Sequence, residues 1–114
     1  MAAAQTKLLF QTAQLTATTA TYYTTGANTN TIVDSAIASN GTGTNRTITV
    51  YLVPSGGIAD GTNIVIPALT VPANGDITLN RLILQAIPAG ATLQAKSDAA
   101  FAVNLRVSGR EQTT

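Results

Sequence analysis

Apolar and polar residues alternate with a period of two through most of this chain, most clearly between Asn45 and Gly57. There Ile48, Val50 and Leu52 fall on one side and Thr47, Thr49 and Tyr51 on the other, which is the spacing of a half-buried β-strand. Pro54 removes a ladder donor and Ser55-Gly56-Gly57 admits positive φ, so this strand is expected to stop there and turn. The last strand has the same form. Phe101, Val103, Leu105 and Val107 are predicted to face inward and Ala102, Asn104, Arg106 and Ser108 outward, before a polar tail from Arg110 to Thr114.

Before and between these two runs the same logic places further short strands. Residues 5 to 23 predict two of them with a break near Thr18 to Ala20, because β-formers alternate there without a helical apolar stripe. Thr31 to Ser39 predicts another. Asn40-Gly41 follows it and is a strong hairpin signal, so this strand and the one after it are expected to be antiparallel neighbours. Ile64 to Val71 predicts an extended run in which Pro67 marks an edge or a bulge. Ile77-Thr78-Leu79 continues the alternation, and the change of phase at Leu82-Ile83-Leu84 predicts a bulge or a crossing between sheets. Thr92 to Lys96 alternates again. Val71-Pro72-Ala73-Asn74-Gly75 and Ile87-Pro88-Ala89-Gly90 echo one another as a proline turn used twice rather than a solenoid repeat. Short strands at regular spacing with Gly and Pro turns predict an all-β fold. The expected architecture is a single antiparallel β-sandwich, jelly-roll-like, over residues 20–114, preceded by an extended N-terminal arm, residues 1–19. An up-and-down barrel is the competing topology.

Composition narrows what such a sandwich could do. Charged residues make up only 10% of the 114 residues, against roughly 25% in ordinary soluble domains, so Thr, Ala, Asn and Ser must supply the surface. Weak self-repulsion suits a protein packed against neighbours. The net charge is +1 and the six Lys and Arg residues are scattered singly, which argues against nucleic acid as a partner. Cys and His are absent, removing the commonest zinc ligands, the Ser-His-Asp arrangement and every disulfide. The N-terminal apolar run Leu8-Leu9-Phe10 is too short for a signal peptide, and no apolar run approaches membrane-spanning length. A soluble protein made in the cytoplasm, with no membrane partner, is the expectation.

No catalytic, cofactor or metal site is expected from the residues. Asp34, Asp60, Asp76, Asp98 and Glu111 are far apart in sequence, and Asp60-Gly61, Gly75-Asp76 and Ser97-Asp98 are ordinary turn chemistry. Tyr22 and Tyr23 could stack on a sugar, but adjacent strand residues point to opposite faces, so one is expected in the core and one at the surface.

The run Thr47 to Gly57, followed by Val71-Pro72-Ala73 and by Leu93-Gln94-Ala95-Lys96-Ser97 through Val107-Ser108-Gly109, resembles small β-sandwich virion proteins of tailed bacteriophages. The likeness covers roughly residues 22 to 111. It implies a structural protein of the virion exterior, made in the host cytoplasm. The leading reading is a capsid decoration or cement protein that binds the major capsid protein outside the head shell, as a homo-oligomer, dimer or trimer. A neck, collar or tail attachment protein is the alternative within that group, and a carbohydrate-binding adhesin module the alternative outside it. No enzyme activity, cofactor or small-molecule substrate is implied. The candidate partner-binding residues are Leu8, Leu9 and Phe10 in the arm, with Tyr22, Tyr23, Arg46, Tyr51 and Arg106 on the sandwich. The arm is expected to add a strand to a neighbour or to lie across a seam between shell subunits.

Overall fold

A computed structural model describes residues 5–113. Nine strands form two antiparallel sheets: β1 (Gln5–Gln14), β2 (Ala20–Thr24), β3 (Thr29–Asn40), β4 (Arg46–Val53), β5 (Ile64–Val71), β6 (Gly75–Thr78), β7 (Ala86–Ile87), β8 (Thr92–Ser97) and β9 (Val103–Thr113). One sheet has the order β1-β9-β3-β6, with β7 also paired to β3, and the other has β2-β8-β4-β5. The chain folds back on itself at the loop between β4 and β5. From there each earlier strand pairs with its counterpart on the return path: β4 with β5, β3 with β6 and β7, β2 with β8, β1 with β9. β3–β9 and β4–β8 pairing then joins these ribbons into one five-stranded and one four-stranded sheet. This nested order is the jelly roll, and the barrel alternative falls with it.

The core lies between the two sheets. From β3 come Val33, Ala36 and Ala38, from β4 Ile48 and Val50, from β8 Leu93 and Ala95, and from β9 Val103, Leu105 and Val107. Alternation thus places one face of each strand inward, and burying each larger aliphatic side chain contributes about 1.5–3 kcal/mol. The polar tail expected after Gly109 is instead the continuation of β9, paired with β3 as far as Thr113.

Two further expectations are corrected, and a third is decided between its alternatives. Asn40-Gly41 is not a hairpin, because β3 and β4 belong to different sheets. The Asn40 amide donates to Thr44 O (2.8 Å) and Val71 O (3.1 Å), while its Oδ1 accepts from Thr42 N (2.9 Å) and Thr42 Oγ1 (2.7 Å). These side-chain bonds make a corner between sheets where a two-residue turn would have made a ribbon. The phase change at Leu82 is a bulge and not a crossing. Leu79 N donates to Ala36 O and Leu84 N to Val33 O, so the chain leaves β3 for one turn, tucks Leu82 into the core and rejoins the same strand. Phe101 does not face inward: it precedes β9, has φ of 60° and is 68% exposed.

Pro67 lies on β5, the edge of its sheet, where the register against β4 shifts, as a residue without an N–H requires. The proline turn echoed in the sequence occurs three times. Gly57, Gly75 and Ala91 each donate N–H to the carbonyl of a proline three residues earlier, Pro54, Pro72 and Pro88. The third residue of each turn has positive φ: Gly56 at 78°, Asn74 at 52° and Gly90 at 80°.

One polar contact crosses the sandwich. The Tyr23 hydroxyl, on β2, donates to Glu111 Oε2 on β9 and shares a 2.8 Å bond with Thr31 Oγ1 on β3. Thr25 Oγ1 donates to Ile87 O at 3.0 Å beside it. Burial of the phenol, and then the bond to Glu111, hold the Tyr23 pKa above its ordinary value near 10, against a lowering by Thr31 and Thr25.

Two outcomes follow from this packing. A Cβ at Gly109 would sit 2.2 Å from Ile32 O, inside the β3–β9 ladder, whereas one at Gly41 would meet nothing within 4 Å. Gly109→Ala is therefore expected to lower unfolding free energy by about 3 kcal/mol or more, and Gly41→Ala by less than about 0.5 kcal/mol, in denaturant titrations. The neutral phenol of Tyr23 is favoured in the folded state, so its contribution is complete below the unfolded pKa and is lost as pH rises through the higher folded value. Tyr23→Phe should cost about 1–2 kcal/mol at neutral pH and flatten the fall in melting temperature above pH 10.

Candidate interaction surface

The residues that the sequence nominates for partner binding are spread over the sandwich and do not converge. Leu8, Leu9 and Phe10 lie on β1, whose backbone pairs in the same chain with β9 (Leu8 with Ser108, Phe10 with Val107); their side chains lie outside the described residues. Tyr22 sits at a bulge in β2, half-buried against the core. Tyr23 is 7% exposed and engaged in the contact between the sheets, so it offers no stacking face for a sugar. Tyr51 is also 7% exposed, on the face of β4 opposite Val50, with Gln94 and Ile64 as its partners across the ladders. Arg46 opens β4 half-buried, its Nη1 3.9 Å from Asp98 Oδ2. Among the candidates whose side chains are described, only Arg106 stands in the open, on β9 opposite Ile37 of β3.

The outward faces of the sheets are polar and largely satisfied. On the β1-β9-β3-β6 face, Arg110 Nε lies 3.1 Å from both carboxylate oxygens of Asp34, and Ser35 Oγ lies 2.5 Å from Ser108 Oγ, flanking the β3 bulge. An exposed pair of this kind contributes less than about 1 kcal/mol. Asp60 turns its carboxylate to its own loop, where bonds from the Thr62 hydroxyl and the Thr62 N–H hold its pKa below the usual carboxylate value. Among the described residues no three His, Cys, Asp or Glu side chains converge to hold a metal ion. No helix among them is long and apolar enough to cross a membrane.

The sheet edges discourage strand addition. β1 has two register shifts against β9, β2 one against β8 and β5 two against β4, and β6 is only four residues long. Bulges, prolines and short runs at edges are the devices that keep sandwiches from pairing edge to edge. Apolar exposure is greatest in the connections, at Ile58 (73% exposed), Leu84 (70%) and Phe101 (68%), and smaller on the strands, at Ile37 of β3 and Ile64 of β5. The sequence places Leu84 in a run where the phase breaks, and Phe101 inward because it continues the alternation of the last strand; the positive φ that turns each outward, 70° and 60°, leaves no mark in residue type.

The loops at the two poles of the sandwich differ. At one pole the connections 15–19, 41–45, 72–74 and 98–102 are tied together: Asn74 N donates to Thr42 O (2.9 Å), Ala73 N to Asn45 Oδ1 (2.9 Å), Ser97 N to Thr16 O (2.9 Å) and Phe101 N to Leu15 O (3.0 Å). At the other pole an apolar groove of about 220 Å³ opens where β4 leaves one sheet and β7 the other. Leu52, Val53, Pro54, Ile87, Pro88 and Ala91 line it, with Ala86. A second groove, about 200 Å³, runs between the β5 and β6 edges past Ile66, Leu69 and Arg81.

No protein-family model and no curated protein matches this sequence. Two solved structures share its fold. A chain of Bacillus endospore appendages, described as a family of disulfide-linked pili, aligns with a TM-score of 0.57 at 15% identity, over 96% of this chain and 88% of that one. A chain of infectious bursal disease virus, Gx strain, aligns with a TM-score of 0.53 at 15% identity, over 96% of this chain and 31% of that one. At such identity the likeness establishes a shared sandwich architecture and nothing about partners.

Proposed function

We propose that this chain is a structural subunit of a virion, a decoration or cement protein on the outside of a tailed-bacteriophage head, with the major capsid protein as its partner. The observation that carries the reading is that a jelly roll occupies nearly the whole chain, with charge-poor, hydrogen-bonded faces and no three His, Cys, Asp or Glu side chains converging among the described residues. Such a block contributes surface and rigidity instead of chemistry, so the reading includes no catalytic role. The two structural neighbours support it, one being a chain of a virus and the other of a pilus. Disulfide linkage of the kind named for the pili is closed to this chain, which has no Cys. A cement protein built this way would depend on many weak contacts made at once, because avidity multiplies them.

The pairing of β1 with β9 changes what the N-terminal segment could contribute. Leu15, fully buried, belongs to the core, and residues just before it complete a sheet. Removing residues 1–19 would therefore damage the sandwich itself, so contact with a shell is better tested on the full chain.

Full-length protein mixed with undecorated heads is expected to co-sediment saturably, at a fixed ratio to the shell subunit, and to raise the temperature at which the heads release DNA. Saturation at a few copies per particle would move the protein to the neck or tail. No binding to heads, together with retention on a glycan array, would replace the proposal with the adhesin reading.

A further inference from the structure

We infer that the chain associates with further copies of itself head to tail, the Phe101 ring of one copy entering the apolar groove at the opposite pole of the next. Phe101 is 68% exposed at a backbone conformation that aromatic residues rarely adopt, φ of 60°. The surroundings enforce that conformation: Phe101 N donates to Leu15 O at 3.0 Å, and Phe101 O accepts from Gln14 Nε2 at 3.3 Å. The ring is thus held outward on a pole whose four loops are bonded to one another. Little order remains to be lost on binding, which is the property of an interface anchor.

The complement is on the same molecule. β4 runs from Arg46, beside Asp98 at the Phe101 pole, to Val53 at the groove, so anchor and groove lie at opposite ends of one strand. The groove, about 220 Å³, is lined by aliphatic and proline side chains, and an apolar cavity of about 150 Å³ is known to take benzene. The other groove is a poorer match, because Thr78, Asn80 and Arg81 line half of it. Arg46 and Asp98 pair at the Phe101 pole, and at the other the Asp60 carboxylate is turned back to its own loop by Thr62. A shell protein could cover the anchor or the groove, whereas a second copy covers both at once. The contact is heterologous, so it repeats from copy to copy and does not close at a dimer. It stands without the decoration reading, since it is measured in solution with no heads present.

Sedimentation equilibrium of the full chain into the millimolar range tests it. The expected result is association that grows with concentration beyond a dimer. Phe101→Gly suits the positive φ and should keep or raise the unfolding midpoint while weakening association about tenfold or more. Ala86→Arg, at an exposed position on the groove wall, should do the same without unfolding the chain. Mixed, the two variants should form only one-to-one pairs, through the one intact anchor and the one intact groove. A monomer at every concentration would overturn the inference, as would association that stops at a dimer or survives Phe101→Gly. A monomeric chain whose Phe101→Gly variant loses only head binding would overturn it too, by assigning the anchor to the shell.

Discussion

The ladder between β3 and β9 is the contact on which the rest of the molecule depends. It joins residues 63 to 84 positions apart, from Asn40 with Val103 to Thr29 with Thr113. Without it β1 would have no sheet to extend, and β6 and β7 would be paired to an isolated strand. The closest approach is at Gly109, which faces the backbone of Ile32 and Val33 where the β3 bulge shifts the register. A side chain there would separate the strands, so this glycine follows from the bulge. Pairing at such sequence distance costs loop-closure entropy early and repays it late, which marks the fold as a slow one to form.

What holds the two sheets in register is apolar packing, with few charges taking part. Ile48, Val50, Leu93 and Ala95 face Val33, Ala36, Leu105 and Val107 across the core. Polar groups are used at the corners instead. The Asn40 amide serves two loop residues, Thr42 and Thr44, and Val71, and Tyr23 ties β2 to β3 and β9. A chain with so few charged residues must satisfy its backbone and hydroxyl groups internally, and its Thr and Asn side chains do this in the connections.

The same economy shapes how the molecule can meet others. Its faces are polar, with an ion pair and a serine pair already closed on one of them, and its edges are bulged, kinked or short. Contact by strand addition would have to undo those irregularities. Contact by side chains at the poles would not, and there the chain exposes an aromatic ring at one end and an apolar groove at the other.

Strand positions and the inward set were legible in the sequence wherever alternation is unbroken, as in Ile48 and Val50 or Val103, Leu105 and Val107, because a period of two follows from the pleat alone. The proline turns were legible for a similar reason: a fixed φ followed by a residue tolerant of positive φ makes a turn wherever it occurs. The sheet to which each strand belongs was not. Asn40-Gly41 carries the residue types of a hairpin, and only the bonds from its amide to Thr44 and to Val71, thirty-one residues away, convert it into a corner. Nor were the candidate contact residues legible. Spacing puts one of Tyr22 and Tyr23 inside without saying which, Tyr51 is covered although it lies on the face of β4 away from Val50, and Phe101 looks like core until its backbone turns it out. Local spacing determines which atoms a strand presents to either side; only tertiary packing decides whether that side is covered.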